Sequence, residues 1–258
     1  MNRVSLSLSA LLLVIACSAA PSRADEDVIR FVAEPVPPFT VGDDDKPAAG
    51  AMVEVMQSVC AKAKRICTFE IMPFRRSLAI ASEGIQFDGI MPSMRIPERE
   101  QAFLISDPIV KTAYSFFVSA ESTWQFHTQQ DLNGMTLIAY GPSATSFAVQ
   151  EAAQHTNAVM QIELSMPRAL QKLAGGRYGA SSAVVMNRDV GQFLIKDEKI
   201  SGVKLAGDLK PIDYCFAMSR KSPHAGEMAA LNDALHQLQK AGVVQSILDK
   251  YGLEDASK

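Results

Sequence analysis

Short apolar stretches alternate with amphipathic ones along the first half of the chain. Val28 to Val32 is mostly apolar and predicts a strand, and Gly50 to Ala63 carries apolar residues at the 3.6-residue spacing of a helix. Cys67 to Met72 alternates as a strand does, Arg76 to Ser82 predicts a helix, and Phe87 to Met91 predicts another strand. Strands that alternate with helices imply a parallel sheet covered by helices.

The second half repeats this logic after a strand predicted at Tyr114 to Val118. Asp131 to Gly134 predicts a turn before a strand from Met135 to Tyr140, and the helix that starts within 141–145 runs through Ala153. The remaining predicted elements are a helix at 165–173, a strand at 182–186, a short helix at 190–195, a strand at 212–218 and a helix at 227–238.

The first 24 residues predict a signal peptide. Arg3 supplies its positive charge, Leu6 to Ala16 its apolar centre, and Ser22 to Ala24 a small-x-small cleavage site. The apolar run is shorter than the roughly 20 residues that span a bilayer. We therefore expect an exported protein in the periplasm. The segment Val14 to Cys17 also resembles a lipobox, so a lipid anchor at Cys17 stays open.

Composition and charge narrow the choice of partner. Removal of residues 1–24 takes away two basic residues and no acidic ones, which leaves 23 basic and 28 acidic residues and a net charge of −5. This balance argues against nucleic acid and anionic membrane surfaces as partners. The remaining length suits one large domain or two small lobes with separate cores.

The cysteines and histidines offer little for a metal. The predicted helix at Gly50 to Ala63 brings Cys60 back over the start of the strand at Cys67, which suits either a disulfide in an oxidising compartment or two buried free thiols. Cys215 lies in an apolar strand and is expected to be a buried free thiol. Because the sequence shows no Cys/His cluster with ligand spacing, we expect no metal site and no cofactor.

The segment from Gly89 to Arg99, which continues to Phe103 to Pro108, carries the most specific pattern. It predicts the end of a buried strand, a turn and a helix start that places Arg99 at the carboxyl end of the sheet, where open α/β sheets bind ligands. Its residues Gly89-Ile-Met-Pro-Ser-Met-Arg-Ile-Pro-Glu-Arg and Phe-Leu-Ile-Ser-Asp-Pro resemble the signature of family 3 bacterial extracellular solute-binding proteins. Those proteins are the periplasmic receptors of polar amino-acid ABC importers.

The resemblance implies an α/β, two-lobed periplasmic-binding-protein (Venus-flytrap) fold of type II with two hinge strands. Lobe 1 would comprise residues 25–115 plus 212–258, and lobe 2 would comprise residues 116–211. The hinges would lie near 114–120 and 210–217. Family members that bind lysine, arginine, ornithine or histidine carry a disulfide at the spacing of Cys60 and Cys67, which favours the bridge over free thiols.

The resemblance also implies a set of ligand-binding residues in lobe 1. Phe39 matches the aromatic residue of a "P-P-F" loop, and Phe74 matches the opposite wall of an aromatic sandwich. The alternative for Phe39 is a place in the core of the lobe. Arg99 matches the carboxylate-binding arginine, Ser93 offers a hydroxyl, and Arg76 is the preferred second cation. A hydroxyl that the family carries just before "P-E-R" is absent here, because Ile96 stands there.

The lobe-2 candidates match the family less closely. The segment 141–146 resembles a "G-T-T" turn, so Ser143 and Thr145 would meet the same carboxylate, although Ser143 also suits a simple helix N-cap. The resemblance places Asn187 where amino-acid binders carry the aspartate that binds the amine. Asparagine does not neutralise an ammonium, so only Glu34 or Asp189 would supply that charge. Several arginines with one fewer acid favour a dicarboxylate or an acidic amino acid over lysine or arginine.

The resemblance predicts a monomeric receptor that binds a carboxylate-bearing solute between its lobes and then docks on an ABC permease in the inner membrane. One alternative is an enzyme of the same fold, similar to cyclohexadienyl dehydratase, with Glu34 or Glu98 as an acid. Neither acid has a base partner at motif spacing, so we expect no enzyme activity. Another alternative is a ligand-sensing partner of a membrane receptor.

Overall fold

The computed structural model describes residues 28–43, 47–141 and 143–257. The predicted signal peptide and Cys17 lie outside these residues. Within the described part of the chain, no helix is long and apolar enough to cross a membrane.

Strands and helices alternate through most of the chain, as the sequence predicts. The strands are β1 (Val28–Ala33), β2 (Ile66–Ile71), β3 (Gly89–Ser93), β4 (Phe103–Ile105), β5 (Val110–Ser119), β6 (Thr136–Tyr140), β7 (Val159–Glu163), β8 (Ser182–Asn187), β9 (Val203–Ser219) and β10 (Glu254–Asp255). The helices are α1 (Ala51–Lys62), α2 (Phe74–Glu83), α3 (Pro97–Ala102), α4 (Ala144–Ala153), α5 (Met166–Ala174), α6 (Arg188–Asp197), α7 (Met228–Lys240) and α8 (Val243–Asp249).

The sheet has the order β2-β1-β3-β9-β5-β8-β6-β7, with β10 on β5 and β4 on β9. β1 is parallel to β2 and β3, and β6 is parallel to β7 and β8. The three pairs in the middle, β3–β9, β9–β5 and β5–β8, are antiparallel. The predicted parallel pairing is present in each half, but the sequence does not predict the antiparallel pairs in the middle. Each half is a parallel βα unit, but the two long strands that join the halves run against their neighbours.

The long strands β5 and β9 connect the two halves of the sheet. They pair with each other from Val110↔Tyr214 to Ser119↔Val203, with register shifts beside Ser115. β9 continues past this ladder to pair with β3, while β5 pairs with β8 on its other side. Both strands thus pass between the β2-β1-β3 half and the β8-β6-β7 half. We use the names lobe 1 and lobe 2 for these halves; the exact lobe boundaries stay a prediction.

Helix α1 fixes the loop that follows β1. Gly50 precedes the helix with a φ of 107°, and a Cβ added there would lie 2.7 Å from the Phe39 carbonyl oxygen. Only glycine allows this backbone conformation together with such a close approach. The Met52 amide then donates to the Phe39 carbonyl at 2.9 Å, so the loop after β1 is tied to the first turn of α1.

Several elements are not predicted from the sequence: β4, β7, α8, β10 and the first half of β9. β7 forms one edge of the sheet, and most of its side chains are exposed, so it lacks the apolar alternation that marks a half-buried strand. Helix α8 follows α7 after only a short turn at Gly242, which has a φ of 74°. β9 begins at Val203, whereas the sequence predicts a strand only from 212. The first half of β9 is missed because it is only partly buried and carries several charged residues.

The predicted disulfide between Cys60 and Cys67 is confirmed. It joins the end of α1 to the start of β2, with 6.2 Å between the Cα atoms. The prediction for Cys215 is confirmed as well, since this residue is a buried free cysteine. Burial raises the pKa of the Cys215 thiol to about 12, so it stays protonated and unreactive at neutral pH.

We expect the double substitution Cys60→Ala and Cys67→Ala to lower the free energy of unfolding by about 2.5 kcal/mol, as the loss of a short cross-link predicts. The bridge spans a sequence separation of 7, so the entropy that it removes from the unfolded chain is modest. Urea unfolding measures the change. A reductant should shift the native protein in the same direction and leave the double variant unchanged. Equal midpoints for the native protein and the variant would contradict this expectation.

Candidate ligand-binding site

Arg99 lies on α3, directly beyond the carboxyl end of β3. Its guanidinium carbon is 4.9 Å from the centroid of the Phe74 ring at the start of α2, which is a cation–π contact. The side chain is partly buried, and burial lowers the pKa of the guanidinium, while Glu34 and Glu98 act in the opposite direction. An arginine remains charged under such conditions. The structure thus places a half-desolvated positive charge beside an aromatic ring.

Glu34 follows β1 and lies near Arg99. Burial raises the pKa of its carboxyl group to about 7, against the opposing effect of the Arg99 guanidinium. Within the described residues, no ion pair or hydrogen bond satisfies this carboxylate; only the backbone carbonyl of Glu34 is bound, by the Thr40 hydroxyl. The group is therefore poised between its charged and neutral forms near neutral pH.

Ser93, at the end of β3, carries a buried hydroxyl for which the described residues provide no hydrogen-bond partner. Ala33 of β1 pairs with Met91 of β3, so Glu34 and Ser93 lie just beyond neighbouring paired residues of parallel strands. A buried polar atom without a partner is uncommon in a folded protein. Its position at the carboxyl end of the sheet is where a ligand group would satisfy it.

Tyr114 of β5 connects this part of lobe 1 with lobe 2. Its hydroxyl lies 3.5 Å from the Met94 sulfur. Burial raises the pKa of Tyr114 to about 12, the Thr145 hydroxyl acts against this rise, and the Glu34 carboxylate adds to it. Tyr114 is therefore close to groups from both lobes: Glu34 and Met94 on one side, and Thr145 at the start of α4 on the other.

Ser143 serves as the N-cap of α4. Its hydroxyl accepts a hydrogen bond from the Ser146 amide at 3.3 Å and donates one to the Tyr140 carbonyl at 2.6 Å. The Ser146 hydroxyl in turn accepts from the Ser143 amide at 2.9 Å. The capping role considered for Ser143 is thus present. Thr145, the second residue of the helix, is the hydroxyl of this turn that lies near Tyr114.

Asn187 caps the helix that follows it, α6. Its side-chain oxygen accepts hydrogen bonds from the backbone amides of Asp189 at 3.0 Å and Val190 at 3.1 Å, which caps α6. Its amide nitrogen donates to the Tyr214 hydroxyl at 3.4 Å. The side chain is buried. Whether it also meets a ligand stays a prediction, but its oxygen already has two backbone donors.

Asp189 is likewise engaged within the protein. It is buried, accepts a hydrogen bond from the Thr112 hydroxyl, and lies 3.5 Å from the Arg188 guanidinium. Arg188 also forms an ion pair with Asp208. The acids at this end of lobe 2 are therefore partly neutralised by the protein itself.

Two of the predicted binding residues, Phe39 and Arg76, lie in very different environments. Phe39 is fully buried, belongs to the large core cluster and packs edge-on against Tyr214 at 4.8 Å. Its ring fills the core of the lobe, while Phe74 contacts Arg99. Arg76 is exposed on α2. The roles of Phe39 and Arg76 in binding stay predictions.

A groove of about 480 Å³ lies beside these groups, between α6 and the C-terminal turn of the chain. Its volume falls in the range of small-molecule sites. Its lining mixes both signs of charge with aromatic side chains: Pro38, Asp189, Gln192, Phe193, Lys196, Asp197, Lys250, Tyr251 and Gly252. The groove meets the residues described above at Asp189 and at the loop after β1.

Comparison with known proteins agrees with this architecture. The model of the bacterial extracellular solute-binding proteins, family 3, matches residues 29–254. The chain belongs to this family. The resemblance that the sequence predicts is thereby confirmed. A curated relative of this solute-binding protein is the probable amino-acid-binding protein YxeM of Bacillus subtilis (strain 168), which is 26% identical over 260 residues, or 97% of this chain and 94% of the relative.

Solved structures confirm the two-lobed α/β fold of this solute-binding protein. An ancestral arginine-binding protein bound to arginine matches with a TM-score of 0.71 and 21% identity, over 88% of this chain and 98% of the other. A histidine kinase sensor domain matches with a TM-score of 0.71 and 17% identity, over 90% and 100%. An ancestral amino-acid-binding protein, a precursor of cyclohexadienyl dehydratase, matches with a TM-score of 0.70 and 18% identity, over 88% of this chain and 96% of the other. At these identities the likeness concerns the fold.

Two residues of the site in this solute-binding protein are missed or undervalued by the sequence analysis. From the sequence, Glu34 is considered only as an alternative counter-charge or as the acid of an enzyme, and Tyr114 has only a place in a predicted strand near a hinge. A usable signal exists for Glu34, because it is the first polar residue after a buried strand, at the end of the sheet where ligands bind. No local signal marks Tyr114, whose neighbours along β5 are equally buried; its role depends on the approach of Met94 and Thr145.

Proposed function

We propose that this solute-binding protein is the periplasmic receptor of an ABC importer and binds a small carboxylate-bearing solute, an amino acid or a related anion, between its lobes. The observation that carries the proposal is Arg99, a partly buried guanidinium without an ion pair among the described residues. The Ser93 hydroxyl beside the same strand end also lacks a partner within the described ranges. A rigid guanidinium fork and a hydroxyl are suitable donors for a carboxylate.

Closure of the lobes follows from where the ligand contacts lie. Arg99 and Ser93 belong to lobe 1, and Thr145 belongs to lobe 2, with Tyr114 between them. A carboxylate held by Arg99 and approached by the start of α4 would bind more tightly when the lobes are closed. A ligand shifts a conformational equilibrium only through such a difference in affinity. We expect the mature protein, which lacks residues 1–24, to be a monomer. Its closed form would then dock on the permease.

A thermal-shift screen of the mature protein against amino acids, dicarboxylates and other small anions tests the proposal. We expect at least one carboxylate to raise the melting temperature, since a ligand at 100 times its dissociation constant adds about 2.7 kcal/mol of stability. Small-angle scattering with the same compound should show a smaller radius of gyration. Carboxylates that leave the melting temperature unchanged at millimolar concentration would contradict the proposal.

An enzymatic role is the second candidate, and Glu34 is the observation that favours it. A buried acid with a pKa of about 7 at the carboxyl end of the sheet is suited to proton transfer. A solved relative of this fold is described as a precursor of cyclohexadienyl dehydratase. Incubation with a cyclohexadienyl substrate, followed by NMR, separates the candidates: a receptor returns the compound unchanged, and a dehydratase converts it. A sensing role would keep the same ligand contacts but replace the permease by a membrane receptor.

A further inference from the structure

We propose that the carboxylate of Glu34, in lobe 1, binds the α-ammonium group of the ligand and so makes this protein a receptor for zwitterionic amino acids. The inference rests on the proposed function, because it requires Arg99 to hold the ligand carboxylate. It assigns the amine to a residue at the end of β1 and not to the lobe-2 position of Asn187.

The first argument is the need for a counter-charge. An ammonium group that leaves water without an opposite charge is strongly destabilised. Asn187 has no charge to offer, and its oxygen already caps α6 through the amides of Asp189 and Val190. Asp189 is engaged by the Thr112 hydroxyl and the Arg188 guanidinium. Among the described residues, lobe 2 therefore presents no uncommitted acid at the position where an amine would be expected.

The second argument is the state of Glu34. Its carboxylate has no hydrogen-bond donor and no ion-pair partner among the described residues, although it is partly buried. It is close enough to Arg99 for the two charges to interact, yet the two do not form an ion pair. A carboxylate and a guanidinium that interact without pairing match an amino acid, whose two charged groups are separated by a single carbon atom.

The third argument is the environment that Glu34 meets. Arg99 from α3 lowers the pKa of Glu34, and the Glu34 carboxylate itself raises the pKa values of Tyr114 from β5 and Tyr214 from β9. Burial holds both tyrosines in their neutral forms, with pKa values raised from the ordinary range. Arg99 is then the only cation in this group, and the ligand carboxylate would neutralise it. An arriving ammonium thus finds Glu34 as the partly buried negative partner within the described part of the site, since Glu98, the other acid that acts on Arg99, is exposed.

Binding should be coupled to a proton. The pKa of Glu34 is about 7 without ligand, so the group is partly protonated at neutral pH. An ammonium beside it favours the charged form, and the displaced proton passes to the buffer. We therefore expect affinity for amino acids to rise between pH 6 and pH 8. Calorimetry in buffers of different ionisation enthalpy should detect a fraction of a proton released per ligand bound at pH 7.

The test compares the native protein with Glu34→Gln, using L-amino acids and their 2-hydroxy-acid analogues, such as L-alanine with L-lactate and L-glutamate with L-2-hydroxyglutarate. We expect the variant to bind the amino acids about 30-fold or more weakly, as the loss of one partner of a charged pair predicts. The 2-hydroxy acids, which lack the ammonium, should change by less than about threefold. Proton release should disappear in the variant.

The matched control is Glu98→Gln. Glu98 also interacts with Arg99 and has the same charge, but it is exposed on α3. This variant should keep its affinity for amino acids within about twofold, since exposed charges contribute little. The control separates a direct contact with the ammonium from a general effect on the charge of Arg99.

The melting temperature of the ligand-free variant shows whether a loss of affinity in Glu34→Gln comes from a folding defect. The folded pKa of Glu34 is above its ordinary value, so the folded state holds a proton that the unfolded state has released between about pH 4.5 and pH 7. Stability contributed by this group is thus lost as pH rises through that window. Glu34→Gln removes the loss, so the ligand-free variant should melt at a higher temperature than the native protein at pH 8.

Several results would overturn the inference. An equal loss of amino acids and 2-hydroxy acids in Glu34→Gln would show that Glu34 acts through Arg99 or the fold. A loss confined to lysine and arginine would assign Glu34 to a side-chain cation. Binding of dicarboxylates by the native protein without binding of any amino acid would overturn this inference and leave the proposed function standing. If no carboxylate binds, the proposed function fails, and this inference fails with it.

Discussion

Replacement of Arg99 by alanine should weaken binding of the solute about 1000-fold, the largest effect on affinity that we expect from a single substitution. Arg99 is partly buried, and its replacement would remove the charge and the two parallel hydrogen bonds that we propose it makes to the ligand carboxylate. Isothermal titration with the best compound of the thermal-shift screen measures the loss. Arg99→Lys should also weaken binding, because a point charge replaces a planar fork.

The same substitution should change the stability of the ligand-free protein little. The contact between Arg99 and the Phe74 ring contributes on the order of 0.5–1 kcal/mol, and its loss is offset by relief from the burial of a charge. Arg95→Ala is the matched control, four residues earlier. The Arg95 guanidinium donates to the carbonyls of Ile105 and Ser106 at 3.1 Å and pairs with Glu100. Its loss should lower stability and leave affinity nearly unchanged.

The pair of variants makes the prediction decisive. Native affinity in Arg99→Ala would remove Arg99 from the site and with it the observation on which the proposed function rests. A loss of affinity in Arg95→Ala as large as in Arg99→Ala would show that the fold of the 93–106 segment, and not the guanidinium of Arg99, is what binding requires.

Gly89→Ala should lower the free energy of unfolding by about 3 kcal/mol, because its new methyl group would have no room. A Cβ at this position would lie 2.3 Å from the Ala217 carbonyl oxygen and 2.6 Å from the Phe31 ring. The oxygen belongs to the ladder between β3 and β9, and Phe31 is itself fixed by stacking on Phe69 at 5.7 Å and by an edge contact with Phe216 at 5.9 Å. Neither neighbour is free to move. Urea unfolding measures the loss.

Gly226→Ala is the control for the effect of a glycine substitution on the unfolded chain. A Cβ at Gly226 would meet nothing within 4 Å, and the residue is exposed, so stability should change by less than about 0.5 kcal/mol.

Gly89→Ala should also lower affinity, to a lesser degree than Arg99→Ala, since β3 carries Ser93 and leads to Arg99. A Gly89→Ala protein as stable as the native one would mean that β3 and β9 separate more easily than their packing indicates.

Gly89 and Arg99 show what a sequence motif can and cannot predict about the roles of its residues. Both residues belong to the same short motif, and both are recognisable in the amino-acid sequence alone. The motif does not say that Gly89 is needed for the close approach of β9 and Phe31 while the Arg99 guanidinium contacts the Phe74 ring. That division depends on which strands lie next to β3, and the neighbour, β9, is contributed from more than one hundred residues farther along the chain.

Asn187 is a second residue whose role the sequence alone does not determine. Its alignment with an amine-binding aspartate is a reasonable prediction, since it ends a buried strand in lobe 2. The sequence predicts a helix only from 190, which hides a capping role for Asn187. The structure starts α6 at Arg188 and makes Asn187 its N-cap. N-cap identity depends on where the backbone turns, and a shift of two residues in a predicted boundary is enough to change the role of a side chain.

Local sequence was sufficient to predict the family, the alternation of strands and helices, the disulfide between Cys60 and Cys67, and Arg99 as the leading candidate for binding. These follow from periodicity, from spacing and from a contiguous motif, all of which are readable without tertiary contacts. The antiparallel centre of the sheet, the edge strand β7 and the isolation of the Glu34 carboxylate became apparent only in the folded chain. Each of these depends on which distant segments meet, and a charge is paired or unpaired only through neighbours that the fold brings to it.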